Sequence, residues 1–179
     1  MDKIKEIIEN LQSILDQGKY DEIVNIIKSL RKQNNISSYE MASRLEIVQS
    51  SYNMKENKKV PFTSIEFLNI CNILNLDLTM SYTMDNNNHI IENDYICIVN
   101  TIVKLREYNN ITKDSMRIML NISFPNYINK ENLKSKKPFY LAELINIFTI
   151  LGININLKYS YIDSNGMKVN SEFNLLDKN

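Results

Sequence analysis

The chain contains no Trp, one His (His89), and only 3 Gly, 3 Pro and 2 Cys in 179 residues. So few Gly and Pro residues argue against a loop-rich or all-β fold, which needs turn residues in number. A single His excludes a His-built zinc site, and Cys71 and Cys97 show neither metal nor redox spacing. Both cysteines lie in apolar helical surroundings and are read as buried, reduced thiols. Net charge is missing as well: 21 basic residues meet 21 acidic ones, for a formal charge of +0. That balance is a weak start for a polyanion binder. The most apolar stretch, Ala142 to Leu157, is interrupted by Glu143, Asn146, Asn154 and Asn156 and is too short to span a bilayer. The opening Met1-Asp2-Lys3-Ile4-Lys5 is charged and runs into an amphipathic helix rather than a signal peptide. A cytoplasmic protein with no membrane partner is the expectation. No nucleophile–base pair, phosphate loop or metal cluster stands out, so neither an enzyme nor a cofactor is expected.

What is present is an ordinary globular composition, 44% hydrophobic and 23% charged, long enough for one domain or two small ones. Ile and Asn together make up roughly 30% of the chain, far above usual usage. With Lys favoured over Arg, this reads as the drift of AT-rich coding DNA, as in a low-GC bacterium or its phage.

The stronger signal is internal. At an offset of 75 residues, Ile23-Val24-Asn25 meets Ile98-Val99-Asn100, Leu30-Arg31 meets Leu105-Arg106, and Asn34-Asn35-Ile36 meets Asn109-Asn110-Ile111. Met41, Leu45, Ile47, Tyr52 and Glu56 meet Met116, Leu120, Ile122, Tyr127 and Glu131. After two extra residues the offset becomes 77, and Pro61-Phe62, Glu66, Asn69, Leu74 and Tyr82 meet Pro138-Phe139, Glu143, Asn146, Leu151 and Tyr159. Chance matching of apolar residues would not also align Arg, Asn-Asn, Glu, Pro and Tyr. A duplication is expected, with residues 1–19 as an N-terminal amphipathic helix and copies at 20–92 and 93–179.

Each copy reads as four helices and a hairpin. Ile23, Ile26, Ile27 and Leu30 form one helical stripe. Ser37 is an N-cap with Glu40 three residues on, the pattern of a capping box, and Met41, Ala42 and Leu45 form the buried face of the second helix. A tight turn at Glu46-Ile47-Val48 leads to a third helix over Gln49 to Asn57. Thr63 then caps a fourth, with Ile65, Leu68, Cys71 and Leu74 inward. The period next switches to two at Leu76, Leu78, Met80, Tyr82 and Met84, and again at Ile153 to Tyr161. Asp85-Asn86-Asn87-Asn88 and Asp163-Ser164-Asn165-Gly166 supply turns. The hairpins could be wings, a dimer edge, or partners of each other; mutual pairing is favoured, because lone hairpins are marginal. Upstream, Ile4, Ile7, Ile8, Leu11, Ile14 and Leu15 form a stripe stopped at Gly18, for packing on the first copy or for dimerisation.

The string LRKQNNISSYEMASRLEIVQSSYNMKENKKVPFTSIEFLNICNILNLDL resembles the XRE (Cro/CI-like) family of helix-turn-helix DNA-binding domains. The tail ILNLDLTMSYTMD resembles HipB-like antitoxins, in which a strand after the last helix mediates dimerisation. The resemblance implies a mainly α fold with a small β part: two tandem lambda-repressor-like units, each followed by a hairpin. It implies structural ion pairs Arg31–Glu56 and Arg106–Glu131. Double-stranded DNA would meet Gln49, Ser50, Ser51, Asn53 and Lys55 (with Met54 a further candidate) in the major groove, with Ser38, Arg44, Lys58 and Lys59 on phosphates. In the second copy Asn126, Asn129 and Lys130 would form the reading face, and Lys134, Lys136 and Lys137 the basic loop. Departures from the family pattern are Glu46 for a turn Gly, Lys55 for an apolar residue, and Arg117 where the first copy has Ala42. The second copy is thus open to being a structural partner rather than a reader.

Charge is polarised. Residues 23–83 hold 7 basic and 5 acidic side chains, and residues 98–162 hold 9 basic and 4 acidic. The functional expectation is a sequence-specific transcriptional regulator, repressor-like, of phage, plasmid or toxin–antitoxin type. The alternative is a protein-binding module on the same scaffold, an antitoxin or a phage-encoded inhibitor of a host defence system, with a toxin or defence protein as partner. A homodimer through the N-terminal helix or the hairpins completes the expectations.

Overall fold

The computed structural model describes residues 17–177, which hold eight helices and one four-stranded antiparallel sheet. Helices α1 (Gln17–Gln33), α2 (Ser38–Arg44), α3 (Gln49–Glu56) and α4 (Ser64–Ile73) lead into the hairpin β1 (Asp77–Met84) and β2 (Asn87–Ile91). The order then repeats as α5 (Tyr95–Tyr108), α6 (Lys113–Met119), α7 (Phe124–Glu131), α8 (Leu141–Leu151), β3 (Ile153–Ile162) and β4 (Lys168–Asn174). The expected stripe at residues 4–15 lies outside the described residues. Gly18 does not stop a helix: the chain is already helical from Gln17 through it.

The two hairpins pair with each other in the order β2-β1-β3-β4. Period-two burial explains the sheet. Leu78, Met80, Tyr82, Ile153, Ile155, Leu157 and Phe173 point into the helices, while the intervening residues are polar and face outward. The tight β1–β2 turn rests on Asp85 and Asn86, both left-handed at φ 50 and 62, as a two-residue hairpin loop demands.

Contacts across the midline are reciprocal. In β1–β3, Leu78 faces Leu157 and Met80 faces Ile155, so the pair Thr79–Asn156 lies at the centre of a local two-fold. Between the helices, the Ser64 N–H donates to Phe139 O at 2.9 Å and the Leu141 N–H donates to Phe62 O at 2.8 Å, around the bridge Thr63–Tyr140. The two central pairs, Thr79–Asn156 and Thr63–Tyr140, join residues that correspond at the 77-residue offset, and the pairs flanking each of them exchange partners across it. Backbone strain recurs in register too. Asn35, Glu46, Lys58 and Asn75 adopt positive φ, as do Asn110, Asn121, Leu133 and Gly152 at the corresponding places.

Three local readings change. Ser37 accepts the Glu40 N–H at 3.0 Å, but the Glu40 carboxylate turns to Arg44, so the full capping box forms at Thr63–Glu66 instead. Ile65 is 42% exposed; Phe67 and Ile70 take the inward places beside Leu68, Cys71 and Leu74. Cys71 is buried, its thiol pushed up to about 12 by desolvation, whereas Cys97 is half-buried with its Sγ 3.6 Å from a Glu92 carboxylate oxygen. The apolar burial expected of Cys97 is therefore corrected.

Glu46 offers a stability test. It holds φ 56 in the turn between α2 and α3, a conformation costing a side-chain-bearing residue about 1 kcal/mol. Asn121, which tolerates that region better, does the same work at φ 53. Glu46→Gly is expected to stabilise the fold by about 0.5–1 kcal/mol, read as a Tm rise of about 2–4 °C in thermal unfolding.

Candidate nucleic-acid interface

Two buried ionic braces fix α3 and α7. Arg31 grips Glu56 with both prongs, Nε to Oε1 at 2.6 Å and Nη2 to Oε2 at 3.0 Å, while its Nη1 donates to Ile36 O at 2.7 Å. The Tyr52 hydroxyl donates to the same carboxylate at 3.0 Å. The bond to Glu56 outweighs burial and raises the Arg31 pKa, so the charge is held firmly. Burial first, then the Glu56 charge, pushes the Tyr52 phenol well up.

The second brace is similar but rearranged. Arg106 Nε meets Glu131 Oε1 at 2.7 Å and Nη1 donates to Ile111 O at 2.9 Å, but Nη2 turns to Glu107 at 3.2 Å. Lys113, which stands where the first half has Ser38, supplies the missing cation 2.9 Å from Glu131 Oε2. The expected pairs Arg31–Glu56 and Arg106–Glu131 both form.

Sequence reasoning missed the next layer. Lys55 is buried, 3.0 Å from Glu66 Oε2, and donates to Pro61 O at 3.0 Å. Lys130 is buried likewise, with Glu143 at 2.6 Å and its ammonium over the Phe139 and Tyr140 rings. The same glutamates accept the N–H groups of Thr63 and Tyr140 at the starts of α4 and α8. Lys55 and Lys130 are therefore corrected: each ties its helix to the next one and faces away from solvent. Their recurrence at the 75-residue offset, with Glu66 and Glu143 recurring at 77, was the available signal. Tyr20 and Tyr95 recur in the same way, and their hydroxyls accept the Phe62 and Phe139 N–H groups at 3.2 and 3.1 Å.

These braces consume the inner sides of α3 and α7 and leave their outer sides free. Gln49 and Ser50 are exposed, Ser51 and Asn53 half-buried, and Gln49 Nε2 donates to Ser38 Oγ at 3.1 Å, so α2 orients the first side chain of α3. Tyr39 and Val48, 69% and 70% exposed, rim a shallow depression of about 310 Å³ between these two helices. Arg44 is exposed but ion-paired with Glu40, and half-buried Lys58 lies 3.4 Å from Asp21. Lys59 is exposed.

In the second half Asn126 and Asn129 are exposed on α7. Lys134, Lys136 and Lys137 stand exposed in the following loop, their ammonium groups without a partner among the described residues. Phe124 and Pro125, however, occupy the places of Gln49 and Ser50, and Phe124 is 42% exposed. Arg117, half-buried where the first half has the buried Ala42, turns to Asp114 at 2.8 Å. The first half thus offers polar side chains beside the exposed Tyr39 and Val48, with few cations, and the second a smaller polar surface beside a cationic loop.

No helix among the described residues is long and apolar enough to cross a membrane. Compared with protein-family models, curated proteins and solved structures, the chain matches none.

Proposed function

We propose that this chain is a sequence-specific DNA-binding regulator, repressor-like, formed by two tandem helix-turn-helix units of the XRE kind. One observation carries the reading. In each half a short helix ends at a left-handed turn and leads to a second helix, whose inner side is locked by buried ion pairs while its outer polar residues take no part in the core. Rigidly held side chains with nothing to do in the fold suit base reading, where positioning decides affinity. The hairpin pairing supports a second step. Two chains of a HipB-like protein would dimerise through such strands; here β1 and β3 pair within one chain, so a monomer presents two units related by a local two-fold. On this reading the operator carries two half-sites about one helical turn apart, the spacing that paired helix-turn-helix units read.

Gln49 and Asn53 are assigned to base edges. Ser38, Arg44, Lys59, Lys134, Lys136 and Lys137 are assigned to phosphates. Fluorescence anisotropy on duplexes from the protein's own promoter region tests the assignment. Gln49→Ala is expected to weaken the specific duplex by about tenfold or more, with little change on unrelated DNA. Lys136→Ala should weaken all duplexes alike and lower the salt slope by about one unit. Equal behaviour of both variants and the parent protein would remove the basis for the assignment.

The second half favours a second reading, a protein-binding module such as an antitoxin or an inhibitor of a defence protein. Phe124, 42% exposed, and Pro125 stand there in place of the polar Gln49 and Ser50, and Ile118 and Leu133 are 37% and 41% exposed, although Tyr39 and Val48 expose as much apolar surface in the first half.

A further inference from the structure

Strand β3 is longer than its neighbour β1. β1 covers β3 only as far as Lys158, which faces Asp77, because the chain has already turned out of α4 at Asn75. Beyond that point β3 continues to Ile162 with β4 on one side only. The register fixes which backbone groups are left over. Asp163 N–H and Ile155 O bond toward the β4 side, so odd-numbered residues of β3 serve β4 and even-numbered ones serve the other edge. Ser160 is therefore left with an N–H and a C=O directed at an empty strand position, and no hydrogen bond reaches them from that side among the described residues. Two residues on, the side-chain amide of Gln33 fills the same role: its Nε2 donates to Ile162 O and its Oε1 accepts the Ile162 N–H, both at 3.3 Å. The protein thus already holds an amide on this edge, one position beyond the vacant one.

The space at Ser160 is shaped to receive more than water. A cavity of about 490 Å³ opens there, its floor made of Leu30, Ile36 and Ile73 and its rim of Asn34, Asn35 and Asn75. Two further cavities, about 570 and 310 Å³, meet it at the half-buried Tyr159 and continue along the two faces of the strand. The other half closes the matching place. There Lys104 stands where the first half has Ser29, lies over the Tyr82 ring and donates to its hydroxyl at 3.2 Å. Tyr108 stands where the first half has Gln33 and reaches Asp85 at 2.8 Å. One half covers its tyrosine; the other leaves it open.

We infer that the edge of β3 at Ser160, with Tyr159 and the apolar floor beneath Asn34, Asn35 and Asn75, is a docking site for a short extended segment of a partner polypeptide. The segment bridges to the Ser160 N–H and C=O as an added strand and places one apolar or aromatic side chain on the Leu30–Ile36–Ile73 floor. Neutral rim amides and a ring face suit a peptide backbone better than a phosphate or a carboxylate: Arg44, the cation of the first cavity, is paired with Glu40, and Lys158 in the second stands among the acidic Asp77 and Glu172. The Arg44–Glu40 pair stands at its mouth, so an occupied groove would sit beside a residue assigned above to the DNA backbone. The inference does not depend on DNA binding.

The test uses the full-length protein as bait for a displayed library of randomised linear peptides, followed by titration of the enriched peptides. Two variants locate the site. Ser29→Lys copies the cover found in the other half onto an exposed helical position. Ser160→Pro removes the outward donor without touching a β3–β4 hydrogen bond. The expected result is an enriched peptide that protects the Ser160 amide from hydrogen exchange and binds each variant about tenfold more weakly or worse. Circular dichroism and the melting curve confirm that each variant is folded; Ser29→Lys alone decides the matter if Ser160→Pro is not. The inference is overturned if no enriched peptide is lost on Ser29→Lys, or if bound peptides leave the Ser160 amide exchanging freely. Protection of that amide by a free nucleotide, but by no peptide, overturns it as well.

Discussion

Replacing Glu56 by Ala is expected to cost about 3–5 kcal/mol, the largest effect of any single substitution considered, because it leaves the Arg31 guanidinium buried without its counter-ion. Arg31 and Glu56 are 7% and 5% exposed, so water cannot take the place of the carboxylate without opening the packing of α1 against α3. Only the Ile36 carbonyl would remain for the guanidinium, and the Tyr52 hydroxyl would lose its acceptor as well. Against a typical total of 5–15 kcal/mol this is a large fraction, and chemical denaturation would show it as a lower midpoint at unchanged slope. Removing both charges with apolar replacements, Arg31→Met and Glu56→Leu together, should recover most of the loss, because the desolvation of both ions disappears with them. The second half should respond less. After Glu131→Ala, Arg106 still has Glu107 and Ile111 O, and the partly exposed Lys113 can turn to solvent, so a cost nearer the lower end of the range is expected. A loss under about 1 kcal/mol for Glu56→Ala would mean that the brace does not hold α3 in solution.

Alkaline titration should produce the second large effect. Tyr52 and Tyr127 are fully buried, and desolvation, then the charges of Glu56 and Glu131, raise their phenols far above the ordinary value. Tyr20 and Tyr95 are raised as well, chiefly by burial. A raised folded-state pKa stabilises the protonated form in the fold. The contribution is therefore complete below about pH 10, where an unfolded tyrosine begins to ionise, and is lost as pH rises toward the folded value. Each fully shielded phenol removes about 1.4 kcal/mol per pH unit in that window, so Tyr52 and Tyr127 together remove about 2.7. Stability should be flat on this account up to about pH 9.5 and fall steeply above it. Phenolate absorbance should then appear together with unfolding, not before it. In Tyr52→Phe/Tyr127→Phe the slope should be markedly shallower, and an unchanged slope would assign the alkaline loss to other groups.

How much of this was legible in the sequence follows from what each residue does. The order of elements was readable because helix period, caps and the switch to period two are local properties, and Thr63, Asp85 and Leu78 behave as their neighbours dictate. Arg31–Glu56 was readable through resemblance, and the pairing of the hairpins through the cost of leaving them alone. Lys55 and Lys130 were not. A lysine on the predicted exposed side of a helix is normally solvated, and only the three-dimensional nearness of Glu66 and Glu143 makes burial tolerable. The open edge at Ser160 was equally invisible, since it exists only because β3 outruns β1. Tyr20 and Tyr95 illustrate a middle case. Their recurrence was available, but their role depends on a backbone N–H more than forty residues away.

The two halves keep the same internal braces and differ on their surfaces. Glu107 and Lys113 rearrange the ionic brace of the second half, Phe124 and Pro125 replace polar side chains on its outer helix, and Lys104 covers its strand. The halves thus share their buried ion pairs and differ in the side chains they expose. On the proposed function the first half reads bases and the second anchors to phosphates.

Selection from a pool of randomised duplexes tests this most directly. Full-length protein is equilibrated with the pool at low salt, bound DNA is sequenced, and the selection is repeated with Gln49→Ala. The account predicts an asymmetric motif, with one half-site sharply defined and the other weakly, whose defined half loses its preference in Gln49→Ala while overall retention falls steeply with salt. Retention of no duplex at low salt, or a motif that Gln49→Ala leaves unchanged, would contradict it.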